Sequence, residues 1–219
     1  MTDFWEGMTE DPDAIARIKK SVKLLDCKEG MIVLDIGCHK MEAIKYLPKN
    51  IHYCGIDSEN NGQQVVADID GGFVFPKQVD RILCLEVLEH LEMPGGVLQT
   101  IQTVLKDDGV AVVSLPNEAT LFHRIRCLFG TVDAECFNYG GKHLHLPSLK
   151  QSRRFLEEFF EILEVRFYTT QVGIGVKPQW VAWLMHLAPY RVLQLLATLL
   201  PSLFARGFIF KLRKLSCKL

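Results

Sequence analysis

Met31-Ile32-Val33-Leu34-Asp35-Ile36-Gly37 is a run of apolar, largely β-branched residues that ends in an acid and a glycine. A short apolar run of this kind reads as a strand buried on both faces, as in a parallel sheet. Asp35 then stands at the strand's C-terminal edge. Gly37 opens the turn that follows, where a ligand can approach the backbone closely. In an open α/β sheet, ligands bind outside the carboxyl ends of the strands.

The same pattern recurs outward from this stretch. Residues 51–56 read as a second strand with Asp57 at its end, 20 positions after Gly37. That spacing suits an acid that accepts hydrogen bonds from ribose hydroxyls. Val65-Val66-Ala67 reads as a short third strand ending at Asp68, and 79–85 as a fourth, followed by Glu86-Val87-Leu88-Glu89-His90. Val97, Ile101, Val104 and Leu105 share one helical face, closed by Asp107-Asp108-Gly109. Residues 110–115 read as a fifth strand, 162–169 as a sixth, and 172–176 as a seventh.

Helices are expected at four further places. Asp11-Pro12 looks like an N-cap with proline at the first helical position, followed by a stripe of Ile15, Ile18, Val22 and Leu25. Residues 40–47 read as a helix stopped by Pro48. Ser148 and Gln151 have capping-box spacing. The connection 118–147, with a helix near 119–128, is long enough to suggest a functional role.

Composition bounds the class. The chain has 219 residues and is 48% hydrophobic, which excludes a disordered polymer. Its seven cysteines are scattered with no Cys-x-x-Cys pair, which suits free thiols in a reducing cytoplasm. No secretory signal is visible at the N-terminus, so the expected location is cytoplasmic, with peripheral contact at the inner face of a membrane. Residues 1–164 hold 17 Lys and Arg against 26 Asp and Glu, while 165–219 hold eight Lys and Arg and no acid. A basic, apolar tail on an acidic body suggests an anionic surface as partner. Pro189, Arg191 and Pro201 interrupt the tail, so no run is long enough to span a membrane. The segment 203–215, with Arg206, Lys211, Arg213 and Lys214 among Leu, Phe and Ile, reads as a helix lying in the membrane interface. The alternative is a cap packed on the domain or on a second subunit. The division expected is 1–176 for the main domain and 177–219 for the tail. The acidic body lacks a basic groove, so nucleic acid is not expected as a partner. The oligomeric state is left open.

VLDIGC (33–38), GIDSEN (55–60), ADID (67–70), DRILCLEVLEHL (80–91), LKDDGVAVVSLPN (105–117) and HLHLPSLKQSRRFLEEFF (143–160) occur in an order and spacing that resemble class I S-adenosylmethionine-dependent methyltransferases. Within that fold the chain looks most like the MetW-like and ubiquinone-biosynthesis group. The resemblance implies a doubly wound, mostly parallel seven-stranded α/β sheet and S-adenosylmethionine as methyl donor. It says little about the methyl acceptor, which is expected to be a small-molecule or lipid-linked one near or at a membrane. At matching positions it implies that Asp35 and Gly37 border the methionine end of the donor. Asp57 and Ser58 then hold the ribose, Asp68 and Ile69 flank the adenine, and Leu85 and Glu86 line the methyl-transfer side. The loop departs from the usual Gly-x-Gly-x-Gly, reading Gly37-Cys38-His39-Lys40-Met41. A non-catalytic scaffold with a degenerate loop is the rival reading. His39 is tolerated where its backbone avoids positive φ and its side chain points away; otherwise cofactor affinity falls.

Two further sets carry chemistry. Glu86, Glu89 and His90 resemble the metal-binding pentad of some ubiquinone-pathway and small-RNA 2′-O-methyltransferases, with His143 or His145 completing a set for a divalent ion. The bland reading is a strand end and its turn. His143 and His145 alternate, so one of them on an extended segment could serve as general base; the alternative is a polar pair at a loop end. His123, Arg124 and Arg126 either bind an anionic acceptor or form a solvated helix face.

Overall fold

The structure, a computed structural model, describes residues 12–63, 65–130, 143–168 and 190–215. Its strands are β1 (Ile32–Ile36), β2 (His52–Asp57), β3 (Val65–Val66), β4 (Val79–Leu85), β5 (Leu105–Pro116), β6 (Phe160–Tyr168) and β7 (Gly207–Lys214). They form one seven-stranded sheet in the order β3-β2-β1-β4-β5-β7-β6. The pairs among β1 to β5 are parallel, and β7 runs antiparallel to both β5 and β6. The order reverses between β1 and β4, and a crevice opens at such a switch point above the strand ends.

The helices are α1 (Pro12–Leu25), α2 (Pro94–Val104), α3 (Leu121–Leu128), α4 (Leu149–Glu157), α5 (Tyr190–Leu199) and α6 (Pro201–Phe204). One core layer packs Val22, Leu24 and Leu25 of α1 against Val33, Leu83, Val112 and Ile209. The larger layer packs Val97, Leu98 and Ile101 of α2 and Leu156 of α4 against the opposite sheet face. Arg81 Nε donates to the Leu25 carbonyl at 2.8 Å, placing a cation at the C-terminus of α1. The Ser148–Gln151 capping box forms at the start of α4.

Several expectations are corrected. Residues 203–215 contain no interfacial helix. They hold the short α6 and then β7, whose Phe208, Ile209, Phe210 and Leu212 are fully buried. Apolar side chains on both parities of a short run, two of them Phe and one Ile, fit a strand covered on both faces. Gly207 pairs with Tyr168, and a Cβ at 207 would overlap the Tyr168 hydroxyl. The tail's cations meet the body's acids: Arg213 bonds Glu161 at 2.7 Å and Lys214 bonds Asp107 at 3.1 Å. The helix expected at 40–47 is a 3-10 turn over Glu42–Tyr46. The α2 helix ends at Val104, and Leu105 already pairs with Val79, so Asp107-Asp108-Gly109 lies within β5. The strand expected at 172–176 and the tail segment 180–188 lie outside the described residues. No helix among the described residues is long and apolar enough to cross a membrane.

Candidate active site

Asp68, Asp57, Asp35 and Glu86 lie at or just beyond the C-terminal ends of β3, β2, β1 and β4, in the spatial order of the sheet. Asp35 is the last residue but one of β1 and only 4% exposed. The Tyr53 hydroxyl donates to its Oδ2 at 2.6 Å. Burial, reinforced by the charge of Asp57, pushes the Asp35 carboxyl up to about 7 despite that hydrogen bond. Asp57 is half-buried and accepts from the backbone N–H of His39 at 2.8 Å and of Glu59 at 3.1 Å. Ser58 and Asp68 are exposed, while Ile69 is buried in the core layer beneath.

The loop after β1 keeps a left-handed backbone without its glycines. Gly37, His39 and Met41 have φ of 67°, 43° and 56°. The backbone condition set for tolerating His39, that it avoid positive φ, is therefore not met. The chain holds the strained turn with ordinary side chains, and each such residue costs of order 1–3 kcal/mol. Three hydrogen bonds over-determine it: Gly37 N–H to the Ile56 carbonyl at 2.8 Å, His39 N–H to Asp57, and Met41 N–H to the Cys38 carbonyl at 2.7 Å.

Leu85 ends β4, and Glu86 turns the chain out of the sheet with φ 55°. The Ser114 hydroxyl donates to Glu86 Oε1 at 2.8 Å and accepts from the Glu86 N–H at 3.0 Å. On the other side, Arg17 Nη1 of α1 lies 3.6 Å from Glu86 Oε2. Burial opposes the Arg17 charge, but Glu86 and Tyr168 carry its pKa above the ordinary value.

The motif after β4 separates into two parts. Glu86 is taken by Ser114 and Arg17, whereas Glu89, His90 and His143 bring one ligand atom each within 4.8 Å of one another. The Glu89 side chain is 0% exposed, and among the described residues neither carboxylate oxygen has a hydrogen-bond partner. His90 Nε2 and His143 Nε2 stand 3.9 and 4.0 Å from Glu89 Oε1. Burial, then the charge of Glu86, raises the Glu89 carboxyl well above the usual range. His143 Nδ1 lies 2.7 Å from Glu118 Oε1, and that contact holds Glu118 below its ordinary pKa. The histidine segment is pinned over this cluster by the Leu144 and His145 N–H groups, which both donate to the Glu89 carbonyl. His145 takes a different partner, its Nε2 donating to the Leu91 carbonyl at 2.9 Å. The sequence singled out neither Arg17, Ser114 nor Glu118.

A methyltransferase-domain family model matches residues 9–165. The chain belongs to the methyltransferase-domain family. Solved structures share the fold at low identity. N-methyltransferase NodS from Bradyrhizobium japonicum WM9, in complex with S-adenosyl-L-homocysteine, is 14% identical with a TM-score of 0.60, over 99% of this chain and 94% of that one. A putative methyltransferase from Bacillus halodurans C-125 is 15% identical with a TM-score of 0.62, over 92% and 100%. A SAM-dependent methyltransferase from Archaeoglobus fulgidus is 18% identical with a TM-score of 0.55, over 91% and 92%. No curated protein matches the chain.

Proposed function

We propose that this methyltransferase holds its donor across the ends of β3, β2, β1 and β4 and methylates a small-molecule or lipid-linked acceptor. Asp57 and Ser58 take the ribose, Asp68 and Ile69 flank the adenine, Asp35 and Gly37 border the methionine end, and Leu85 and Glu86 line the methyl-transfer side. The observation that carries this assignment is the loop of Gly37, His39 and Met41. It keeps the left-handed turn and ties itself to Asp57 without any glycine after the first. Strain of this kind persists where surrounding structure and function require it. The bound donor supplies a sulfonium whose positive charge is lost as its methyl leaves. The protein's share is alignment of the acceptor and removal of its proton. Titration calorimetry with S-adenosylhomocysteine tests the assignment. Micromolar binding is expected, weakened at least tenfold by Asp57→Ala, because a carboxylate–hydroxyl bond contributes about 1.5–3 kcal/mol. Absence of binding by the intact protein would favour the scaffold reading.

His143 is the better placed of the two histidines for proton transfer, since Glu118 orients its ring. A second reading has its own observation. Glu89 is a bare buried carboxylate facing two imidazole Nε2 atoms, and His143 is backed by a carboxylate, as metal-ligating histidines usually are. The residues fit a divalent ion held by Glu89, His90 and His143, which would polarise an acceptor oxygen. Glu86 is left out of that set. Thermal melts with Mn²⁺ or Mg²⁺ separate the two: a rise in Tm that Glu89→Gln abolishes supports the ion, and melts indifferent to metal oppose it.

The lipid-linked alternative draws support from apolar side chains left exposed at the C-terminal ends of α3 and α5. Leu128, Phe129 and Leu199 are 80%, 74% and 65% exposed. Co-flotation with anionic liposomes, reduced by the pair Leu195→Glu and Leu199→Glu, is expected if these helices touch a membrane. Unchanged flotation, or none, would remove this support.

A further inference from the structure

The contact between α1 and the exit of β4 has a consequence for the charge of the donor. Glu86 is a carboxylate in a left-handed backbone conformation, held on one oxygen by the buried Ser114 hydroxyl and approached on the other by Arg17. Arg17 is itself fixed from below, its guanidinium carbon 5.9 Å from the centre of the buried Tyr168 ring. The side chains of Arg17 and Glu86 are only 20% and 17% exposed, so water screens the pair little.

We infer that Arg17 is a positioning residue for methyl transfer, cancelling the charge of Glu86 beside the sulfonium while Ser114 fixes where that charge lies. This inference rests on the reading of Leu85 and Glu86 as the methyl-transfer side. A lone carboxylate there would attract the positive donor more than its neutral product. It would stabilise the ground state over a transition state in which the charge is already fading, and so raise the barrier. Paired with Arg17, Glu86 keeps its place without that penalty. The pair also makes docking of the N-terminal helix a condition for an electrostatically balanced site.

The quantity that isolates this effect is the ratio Kd(S-adenosylhomocysteine)/Kd(S-adenosylmethionine), measured calorimetrically on the full chain without acceptor. Any contact of Arg17 with the parts common to both ligands cancels in the ratio. Arg17→Met is expected to raise it at least tenfold. Arg17→Lys, which keeps the charge, should leave it near the wild-type value. Glu86→Gln leaves Arg17 facing a neutral amide and should lower the ratio. The double variant Arg17→Met/Glu86→Gln should return towards wild type. If Arg17→Met does not fold, Glu86→Gln decides by lowering the ratio while Arg17→Lys leaves it near the wild-type value. Intact binding of both ligands with a ratio indifferent to Arg17→Met and Glu86→Gln would overturn the inference and leave the donor site standing. Failure of the wild-type protein to bind either ligand would overturn both.

Discussion

At the residue scale, the energetics concentrate in a few buried polar groups. Asp35 has a native pKa of about 7 against an ordinary value of 3.8. A carboxyl whose pKa is raised by folding binds its proton more tightly in the native state. Its contribution is therefore fully present below about pH 4 and is lost as pH climbs towards 7. Each pH unit between the two values is worth about 1.4 kcal/mol, so the loss amounts to several kcal/mol. Asp35→Asn should thus gain stability relative to the parent between pH 4 and 7.5, read as a widening Tm difference; a difference constant with pH would refute the account of this group. Acids such as Asp80, held by Lys106 and the Ile32 N–H below their ordinary pKa, act in the opposite sense in both proteins and drop out of the comparison. Gly207 is a second such point. With the Tyr168 hydroxyl where its Cβ would be, Gly207→Ala should cost 1–3 kcal/mol in chemical denaturation, as overpacking does. The sequence made Asp35 conspicuous by its place after a strand. It could not show that Tyr53 would close over it, because that pairing arises from the register of β1 and β2.

At the element scale, the loop after β1 and the last strand divide what could be read from what could not. β1, β2 and β4 announce themselves as apolar runs ended by acids, since a strand covered on both faces leaves little choice of residue. The left-handed turn does not, because His39 and Met41 stand where glycine would have marked it. His39→Gly should relieve strain and raise Tm, with cofactor affinity kept or improved; a fall in Tm would show that the imidazole contributes packing larger than the strain. β7 was missed for another reason. Its cations suggested a membrane face, but Arg213 and Lys214 answer acids on β6 and β5 that are distant in sequence. Burying Phe208, Ile209, Phe210 and Leu212 contributes about 1.5–3 kcal/mol each. That approaches the whole stability of a typical domain, about 5–15 kcal/mol. A chain truncated before Gly207 should accordingly lose its cooperative melt, and a truncated chain with native circular dichroism would show that β6 can dock on β5 without it.

At the scale of the whole molecule, the charge asymmetry takes on a different meaning. An acidic body and a basic C-terminal stretch come together partly by pairing with each other, through exposed bridges worth at most about 1 kcal/mol each. The asymmetry legible in the sequence is therefore not by itself an address label for an anionic surface. The sheet order was foreseeable only in class, and the residues of the active-site crevice only where they end strands. Arg17, Ser114 and Glu118 act across distances that no local pattern records. The fold brings α1 to the end of β4, and the segment from His143 over Glu89, so that the proposed donor site and the proposed proton-handling cluster share one edge. That edge is the central claim, and a crystal structure of the protein with S-adenosylhomocysteine addresses it most directly. The account predicts the ribose hydroxyls on Asp57, the adenine beside Asp68 and Ile69, and the sulfur near Leu85 and Glu86. Ligand density in any other crevice, or an Asp57 carboxylate that touches only His39 and Glu59 when the ligand is bound, would contradict it.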